Sequence, residues 1–543
     1  MIETPASSRD EPNLTVISSL LSLTSLTTSS LLLCVLVLVL VLVILTVDRR
    51  NSVTPVEDGV TLLPGPRGAL ATVKVLLGMT KRASRYMFER TKTYGKVFGI
   101  GDGPDSYVII MDYASLEEAF VTKADLCSDR GGLIRTMLES VLPERGSIFN
   151  NGTAWNEVRG FVAKTVKNPD FGATTISRCV SETIPTLCSE LDALVDGPFD
   201  PKRTYQCFCV DVFHRIAFGV GISYENCTVK KFIDNLDTVV AQTLDPSTLL
   251  LTRPSLINTF LFRGYRSKLQ SSSSYVKTRA EEVLAKLDAP EQSSSLIALF
   301  VKYIEGIRSS GKASYSEPDD GWVIVYNMFF AATDTIHEVL LWLTLFIATR
   351  PDIQLRMRKE IDTVMNSGGS ESLYDQRSRL PVVRSIILEV LRMRPVAPMG
   401  VPHVVSDTGS IDGYSIPKGS QIFSNIWGMH NDPDIWKDPS VFNPDRFLSN
   451  TGVLDEVKAK LVIPFSIGPR SCPGEQVARR IIFQTLVSLI SRYRISLPAG
   501  RPTPQLVNEE RSFTMSPERF KIVFSRIQAD PVQLKDLEIP TTE

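Results

Sequence analysis

An uncharged segment runs from Pro12 to Val47, and its second half, Leu31–Val47, reads LLLCVLVLVLVLVILTV. As a helix, those 17 residues would extend about 26 Å at about 1.5 Å per residue, close to the roughly 30 Å hydrocarbon core of a bilayer. The residues before it include Glu3, Asp10 and Glu11 where a signal peptide carries basic residues, and no small-residue cleavage site follows. We therefore expect a single transmembrane anchor instead of a cleaved signal peptide.

Two basic residues, Arg49 and Arg50, follow the apolar run. The positive-inside rule places this side of the membrane in the cytoplasm, which in a eukaryote predicts a single-pass protein on the cytosolic face of the endoplasmic reticulum. Asn13-Leu14-Thr15 and Asn151-Gly152-Thr153 both match the N-glycosylation pattern, which is used only in the lumen. This orientation leaves Asn13 accessible to glycosylation and predicts that Asn151 carries no glycan.

Charge and cysteine content exclude several classes of protein. The 59 basic and 60 acidic residues nearly cancel, so nothing favours a nucleic-acid partner. The eight cysteines show no CxxC spacing, which argues against a zinc site or a disulfide framework. His337-Glu338 lacks the second histidine of an HExxH motif, so histidine-based metal chemistry is not expected.

The predicted organisation has four parts: a lumenal segment 1–30, the anchor 31–47, a linker 48–68 and a body 69–543. Pro64-Gly65-Pro66 in the linker fits neither a helix nor a central strand. The body begins with a helical pattern to Tyr94 and two strands, GKVFGI and SYVIIM, and is then mainly helical from Tyr113 to Arg494. Short strand patterns return at 413–424 and 513–524. The fold class is therefore mainly α with small β-sheets, preceded by one transmembrane helix.

A second long apolar segment, Trp322–Ala348, carries Asp334 and Glu338 near its centre. Two central carboxylates oppose membrane insertion by about 5 to 7 kcal/mol, so we predict a buried helix of the body. Because an unpartnered carboxylate in a protein core is costly, Asp334 is expected to be partnered or functional.

The loop PFSIGPRSCPG, from Pro464 to Gly474, holds Cys472 in an irregular segment before a helical pattern. Pro473 suits the first position of that helix, whose N-terminus would lower the pKa of the thiol. Gly468 allows a tight turn, and Arg470 can bind a nearby anion. Taken alone, the segment fits a structural turn as well as a ligand-binding loop.

The spacing F-x-x-G-x-R-x-C-x-G, present as Phe465, Gly468, Arg470, Cys472 and Gly474, resembles the haem-binding loop of the cytochrome P-450 superfamily. The resemblance extends over residues 63–526 and implies the helical fold of that family. It implies haem b with Cys472 as its axial thiolate ligand and the other four residues as cofactor-binding. Thiolate ligation favours O–O cleavage, and the cofactor itself carries the oxidation.

Other motifs follow in the order found in that family. ILEVLR supplies Glu389 and Arg392, and FNPDRF supplies Arg446, which together resemble the family's structural Glu-Arg-Arg cluster. The first two are also three positions apart and share a helix face.

Further anchors for the cofactor come from three other segments. WNEVR resembles the motif in which Trp155 and Arg159 would hold a haem propionate, and these two are four positions apart on a helix. Arg130 in CSDRGG and His403 in GVPH resemble two further cofactor-binding positions. Each also fits a plainer role, as a solvated turn residue and as a hydrogen-bonded loop histidine.

AATDT resembles the family's oxygen-activation motif and implies Asp334 and Thr335 as the catalytic acid and alcohol. Ala332 departs from the glycine usual in that motif, which would narrow the groove for oxygen. The resemblance implies a monooxygenase that inserts one oxygen atom from O2 into a lipophilic small molecule. An oxidase that performs desaturation, ring closure or phenol coupling is the alternative, and a non-catalytic haem sensor is a more distant one.

Only 71 residues follow Cys472, too few for a flavin domain. Electrons would therefore come from NADPH through a separate NADPH-cytochrome P-450 reductase on the same membrane, with cytochrome b5 as a further partner. Four basic residues would form a docking patch for the reductase or else simple solvated charge: Lys164, Lys167, Arg479 and Arg480. Residues 394–442 resemble filamentous-fungal members that tailor polyketides, indole alkaloids or terpenoids, which is an analogy and not a derivation.

Overall fold

The computed structural model describes residues 61–68, 82–101, 103–131, 146–243, 263–286, 294–367, 373–500, 502–504, 506, 509–510 and 514–527. The predicted anchor at 31–47, the arginines that follow it and Asn13 lie outside these residues. So do the first part of the linker and the start of the first predicted helix.

Helices make up most of the described chain. Those that bear on the site are α1 (Ala83–Tyr94), α2 (Tyr113–Glu117), α3 (Ala124–Cys127), α4 (Gly152–Lys167), α5 (Ile176–Asp192), α6 (Lys202–Phe218), α7 (Cys227–Thr243), α8 (Arg263–Leu284), α9 (Leu296–Ser309), α10 (Gly321–Ala348), α11 (Pro351–Asn366), α12 (Pro381–Met393), α13 (Ile426–His430), α14 (Glu456–Lys460) and α15 (Glu475–Arg492). The predicted class, mainly α, is confirmed.

The strands are short and form small sheets. They are β1 (Val97–Ile100), β2 (Tyr107–Ile110), β3 (His403–Val404), β4 (Gly409–Ile411), β5 (Tyr414–Ile416), β6 (Gln421–Ser424), β7 (Tyr493–Ser496), β8 (Glu509–Glu510), β9 (Met515–Ser516) and β10 (Val523–Arg526). One sheet has the order β1-β2-β6-β3, and three pairs, β7 with β10, β4 with β5 and β8 with β9, stand apart. The two strands predicted after α1 pair antiparallel, with Val97 opposite Ile110.

The central helix α10 is buried along most of its length. It packs against α6, α8, α9 and α12. Trp342 on this helix is fully buried, and its indole Nε1 donates to the carbonyl oxygen of Met515 at 2.8 Å. Within the described part of the chain, Pro318–Ala348 is the one segment long and apolar enough to cross a membrane, but 78% of its most apolar window is buried inside the protein. The prediction of a core helix is therefore confirmed.

A buried ion cluster ties α12 to the segment before the cysteine loop. Glu389 receives hydrogen bonds from Arg392 at 2.8 and 2.9 Å and from Arg446 at 3.0 and 3.1 Å. Arg392 also donates to the carbonyl oxygens of His430 (2.7 Å) and Pro439 (2.9 Å). Because each charge has a partner, the cluster satisfies the condition under which buried ions are tolerated. The structure thus brings together the three residues predicted to form it.

Candidate active site

A cavity of about 340 Å³ lies between α10 and the cysteine loop. This is within the ordinary range for small-molecule sites, roughly 300 to 1,000 Å³. Much of its wall is apolar, including side chains of Ile148, Ile324, Met328, Ala331, Ala332 and Val396. Cys472 and Thr335 both line it, so two residues predicted to be functional, 137 positions apart in sequence (472 minus 335), share one space.

The cysteine loop is held by short-range contacts that explain its glycine. Gly468 has φ +80°, and a Cβ at this position would lie 2.0 Å from the carbonyl oxygen of Phe120. Only glycine therefore fits this close approach. The Cys472 N–H donates to the carbonyl oxygen of Phe465 at 2.8 Å, which closes the loop and presents the thiol to the cavity. An ideal Cβ on Gly474 would lie 3.8 Å from Cys472 Sγ.

The Cys472 thiol opens onto the cavity but is surrounded by protein. Burial raises its pKa to about 11, against a smaller lowering effect of the Gly474 N–H. The sequence-based expectation of a lowered pKa is wrong for the unliganded thiol, because desolvation outweighs the helix terminus. The helix begins at Glu475, where the sequence pattern places it, but Gly474 is its N-cap, so Pro473 precedes the cap and does not occupy the first helical position. Coordination to a metal ion deprotonates such a thiol.

Three arginines converge at one side of the cavity: Arg130, Arg159 and Arg470. Burial, followed by repulsion from the other two, lowers the pKa of Arg130 to about 9. The Arg130 Nη1 donates to the carbonyl oxygens of Val401 (2.8 Å) and Pro402 (2.7 Å). Its buried Nε has no hydrogen-bond partner among the described residues.

Trp155 and Arg159 come from successive turns of α4. The Arg470 guanidinium lies over the Trp155 ring, with Cζ 3.5 Å from the ring centroid. The indole Nε1 donates to the carbonyl oxygen of Ser147 at 3.0 Å. Arg159 donates to the carbonyl oxygen of Ser471, beside the cysteine. Of the two predicted anchors, Arg159 lines the cavity, whereas Trp155 supports Arg470 and does not itself line it.

Asn151, which sequence analysis treated only as a sequon, is part of this site. Its Oδ1 accepts hydrogen bonds from the Arg130 N–H (2.8 Å) and from Arg470 Nη2 (2.9 Å), and its Nδ2 donates to the Arg130 carbonyl oxygen (2.7 Å). No periodicity predicts this contact, because Arg130 and Arg470 come from distant parts of the chain.

His403 lies at the same side of the cavity. Its ring stacks on Phe120 with the centroids 3.7 Å apart. Its Nδ1 is 2.7 Å from the carbonyl oxygen of Cys127, and since a carbonyl only accepts, Nδ1 carries the hydrogen. Burial and the charge of Arg130 hold the pKa of His403 well below its usual range. The neutral ring therefore presents an acceptor at Nε2, and it would need a second proton to donate to a carboxylate.

Asp334 and Thr335 are neighbours on α10 but face different surroundings. Thr335 lines the cavity, and its Oγ1 donates to the carbonyl oxygen of Ala331 at 2.8 Å. Asp334 is not among the residues of the cavity wall. Its charge acts on Cys209 of α6, and its carboxylate lies near His337 and Glu338. Burial raises the pKa of Asp334 to about 6, which suits a group that holds a proton near neutral pH.

The predicted basic patch is smaller than expected. Arg480 is buried, and its Nη1 donates to Ser177 Oγ at 2.5 Å. Arg479 forms an ion pair with Glu475 at 2.8 Å. Lys164 and Lys167 are exposed, as predicted. Arg480 is therefore removed from the candidate docking surface, since its charge does not reach solvent there.

The residues of the cavity fit haem b on chemical grounds. Cys472 supplies a thiol on one wall, and α10 supplies Ala331, Ala332 and Thr335 on another. The hydrogen bonds of Arg130, Arg159 and Arg470 go to neutral acceptors. Among the described carboxylates, that of Asp129 acts on Arg470, which leaves three buried guanidinium ions with one nearby carboxylate and one Nε unsatisfied. The two propionate carboxylates of haem would supply the further negative charge that favours such a group.

Comparison with known proteins gives the same assignment. A family model described as Cytochrome P-450 matches residues 63–524. Cytochrome P-450 2U1 of Homo sapiens is 29% identical over 439 residues, which cover 80% of this chain and 79% of that protein. Cytochrome P-450 2B19 of Mus musculus is 27% identical over 468 residues, covering 85% and 93%.

Solved structures agree at the level of the fold. A zebrafish cytochrome P-450 solved with progesterone has a TM-score of 0.71 and 23% identity, and the match covers 82% of this chain and 99% of that chain. Since the family model spans most of the 543 residues, the chain belongs to the cytochrome P-450 family and is a haem-thiolate monooxygenase.

Proposed function

We propose that this enzyme inserts one oxygen atom from O2 into a lipophilic small molecule. The observation that supports this substrate class is the composition of the cavity wall above the cysteine: Ile148, Ile324, Met328, Ala331 and Val396 are all apolar. Burial of apolar surface contributes about 25 cal/mol per Å², so such a wall favours substrates without charge. Asn327, whose amide is held by the carbonyl oxygen of Val323 at 3.0 Å and by the Ser147 N–H at 3.2 Å, offers one polar contact.

The residues of the chain divide the work of the site. Haem, when bound, supplies the oxidation chemistry, with Cys472 as the ligand that tunes it. Arg130, Arg159 and Arg470 would hold its carboxylates and fix its orientation. The Thr335 hydroxyl, anchored on α10, positions a proton donor at the cavity wall. Asp334, the preceding residue on α10, holds the proton that is delivered through Thr335 to the cavity.

The proposed biological role is a tailoring step in fungal natural-product biosynthesis, acting on a polyketide, an indole alkaloid or a terpenoid. Its support is the resemblance of residues 394–442 to filamentous-fungal members; the relatives named above are mammalian. A binding-spectrum screen tests it: fungal metabolites of these three classes should displace the resting ligand and shift the Soret band, and their failure to do so would reject the role.

The product distinguishes insertion from the alternative oxidase reaction. Turnover with NADPH and a reductase should add one oxygen to the substrate mass, whereas desaturation, ring closure or phenol coupling removes two hydrogens. Cys472→Ala should abolish both the product and the red-shifted carbon monoxide band of the reduced protein. An unchanged band in that variant would reject Cys472 as the ligand.

Membrane attachment and partners complete the proposal. The predicted anchor at 31–47 would tether the enzyme to the endoplasmic reticulum membrane with its catalytic body in the cytosol. Electrons would arrive from NADPH through a membrane-bound reductase, with cytochrome b5 as a second donor. The exposed Lys164 and Lys167 are the remaining basic candidates for steering an acidic flavoprotein.

A further inference from the structure

Three titratable side chains cluster on a side of α10 that does not form the cavity wall. They are Asp334, His337 and Glu338, and their nitrogen and oxygen atoms lie within 4.8 Å of one another. His337 is 1% and Glu338 is 3% exposed. His337 Nε2 and Glu338 Oε2 form no hydrogen bond with any described group. Buried polar atoms are rarely left in this way, so the cluster needs a physical explanation.

The geometry of His337 requires an additional proton in the cluster. Its Nδ1 lies 2.8 Å from the carbonyl oxygen of Thr333, and a carbonyl only accepts, so Nδ1 carries a hydrogen. Nε2 then lies 3.3 Å from Glu338 Oε1. A neutral ring would leave its Nε2 lone pair close to a carboxylate oxygen. Two buried acceptors repel at this distance, and a proton shared between them removes the repulsion.

The surrounding charges act in the same direction. Burial lowers the pKa of His337, but the Glu338 carboxylate, 3.3 Å from Nε2, and the charge of Asp334 outweigh it, and the pKa is raised above its usual value. On Asp334, the effect of burial is joined by Glu338 and by Asp237 of α7, which raise its pKa, and is opposed by His337 and by Lys202 of α6. Burial is the main cause of the raised pKa of Cys209 of α6, and Asp334 in turn raises it further.

We propose that His337 and Glu338 hold a proton in reserve and return it to Asp334 after that group has released its own. The inference rests on the proposed function, in which Asp334 delivers protons. The proton leaves Nε2 of the imidazolium and protonates the Asp334 carboxylate, and the ring becomes neutral with its hydrogen on Nδ1. Solvent then restores the proton to Nε2. One water molecule or a rotation of the Asp334 side chain bridges the gap.

The first test measures stability of the holoenzyme and does not depend on activity. Because the folded pKa of His337 is raised, its protonated pair stabilises the fold fully below the unfolded pKa of about 6.5 and loses this contribution as the pH rises through the folded pKa. The urea midpoint of wild type should therefore exceed that of His337→Gln by a margin that shrinks as the pH rises from about 6.5 into the alkaline range. A margin independent of pH would overturn the proposal.

His214→Gln is the matched control. His214 is also fully buried and also donates from Nδ1 to a carbonyl, that of Val220 at 2.7 Å, but its Nε2 faces the Tyr275 hydroxyl at 3.4 Å and no carboxylate. Its loss should change the midpoint equally across this pH range. If His337→Gln does not fold, Glu338→Gln serves instead, because removing the carboxylate removes the charge that retains the proton.

The second test measures product formed per NADPH across the same pH range. His337→Gln should lose coupling by about tenfold just above about pH 6.5, where wild type still holds the His337 proton; this is a modest part of what acid–base catalysis supplies. It should approach wild type near about pH 6, and again at alkaline pH, where wild type has lost that proton as well. Thr335→Ala should uncouple at every pH. If Thr335→Ala is uncoupled while His337→Gln is coupled as tightly as wild type at every pH, the proton reserve is rejected and the proposed function stands. Normal coupling in Thr335→Ala rejects the proposed function instead.

A control with EDTA tests for a metal ion. Any change in these profiles with EDTA would mean that a metal ion, and not a proton, joins the three side chains.

Discussion

The side-chain amide of Asn151 connects two arginines that lie 340 positions apart in sequence (470 minus 130). Asn151 is the N-cap of α4, yet its side chain makes no capping hydrogen bond to that helix. A cap of this type contributes about 1 kcal/mol, and this chain forgoes it so that the amide can bind Arg130 and Arg470. The Asn151 side chain therefore stabilises the cofactor site and not the N-terminus of α4.

Asn151→Ala should weaken haem retention. The substitution removes the 2.9 Å bond from Arg470 Nη2 and both contacts with the Arg130 backbone. A charge-assisted bond contributes about 1.5 to 3 kcal/mol, which corresponds to roughly tenfold or more in the rate of haem transfer to apomyoglobin. Thr153→Ala is the control, because it destroys the same sequon without touching the amide. Equal transfer rates for the two variants would refute this role.

Helix α12 carries a buried ion cluster and an exposed ion pair, and the two differ in their contribution to stability. Glu389 and Arg392 are fully buried, whereas Arg384 and Glu456 pair at 2.8 Å with side chains 26% and 62% exposed. Glu389→Ala leaves Arg392 buried without its partner and should cost about 3 to 5 kcal/mol of unfolding free energy. Arg384→Ala should cost about 1 kcal/mol or less, as is usual for exposed pairs. Urea unfolding of both variants checks the difference, and similar costs would contradict the structural role of the cluster.

Helix α10 presents the Thr335 hydroxyl to the cavity through its bond to the Ala331 carbonyl. Thr335→Ala should leave haem content unchanged, since the Thr335 side chain bonds to the Ala331 carbonyl and to no described group of the cysteine loop. The variant should, however, uncouple NADPH oxidation from product formation. The expected loss is about 10- to 100-fold, at the lower end of general acid–base effects. Haem absorbance and product per NADPH measure the two quantities. Ala332→Gly is the matched control on the same wall and is expected to be mild; tight coupling in Thr335→Ala would reject the role.

The orientation of the whole molecule in the membrane can be tested at Asn151. With the body in the cytosol, the peptide that contains Asn151 should show no glycosidase-sensitive mass after expression in microsomes. Protease added outside should digest everything after Pro64. The hydrogen bonds of the Asn151 amide give a second reason to expect no glycan there. Protection of the body from protease would therefore be stronger evidence against the cytosolic orientation than the presence of a glycan on Asn151. An unmodified Asn13 would not distinguish the two orientations.

Several features of this protein can be predicted from the pattern of residues that are close together in sequence. The i,i+3 pair Glu389 and Arg392 and the strands before Tyr113 depend on contacts within a few residues or between adjacent strands. Gly468 was identified because a loop that bends sharply needs a residue without Cβ. The carboxylates within the apolar helix indicated a core position, since insertion into lipid would be costly. Local steric constraints and the cost of desolvation determine these features, and both can be inferred from the composition and spacing of residues in the sequence.

Features that depend on distant parts of the chain were decided by the tertiary structure. The pKa of Cys472 rises because surrounding protein desolvates the thiol, which the helix that follows it could not reveal. Arg480 is withdrawn from the surface by Ser177 on α5. The bridge formed by Asn151 and the separation of Asp334 from the cavity wall likewise depend on where other helices pack. Sequence spacing fixes which residues share a helix face, but burial and long-range partners set their charge state and their role.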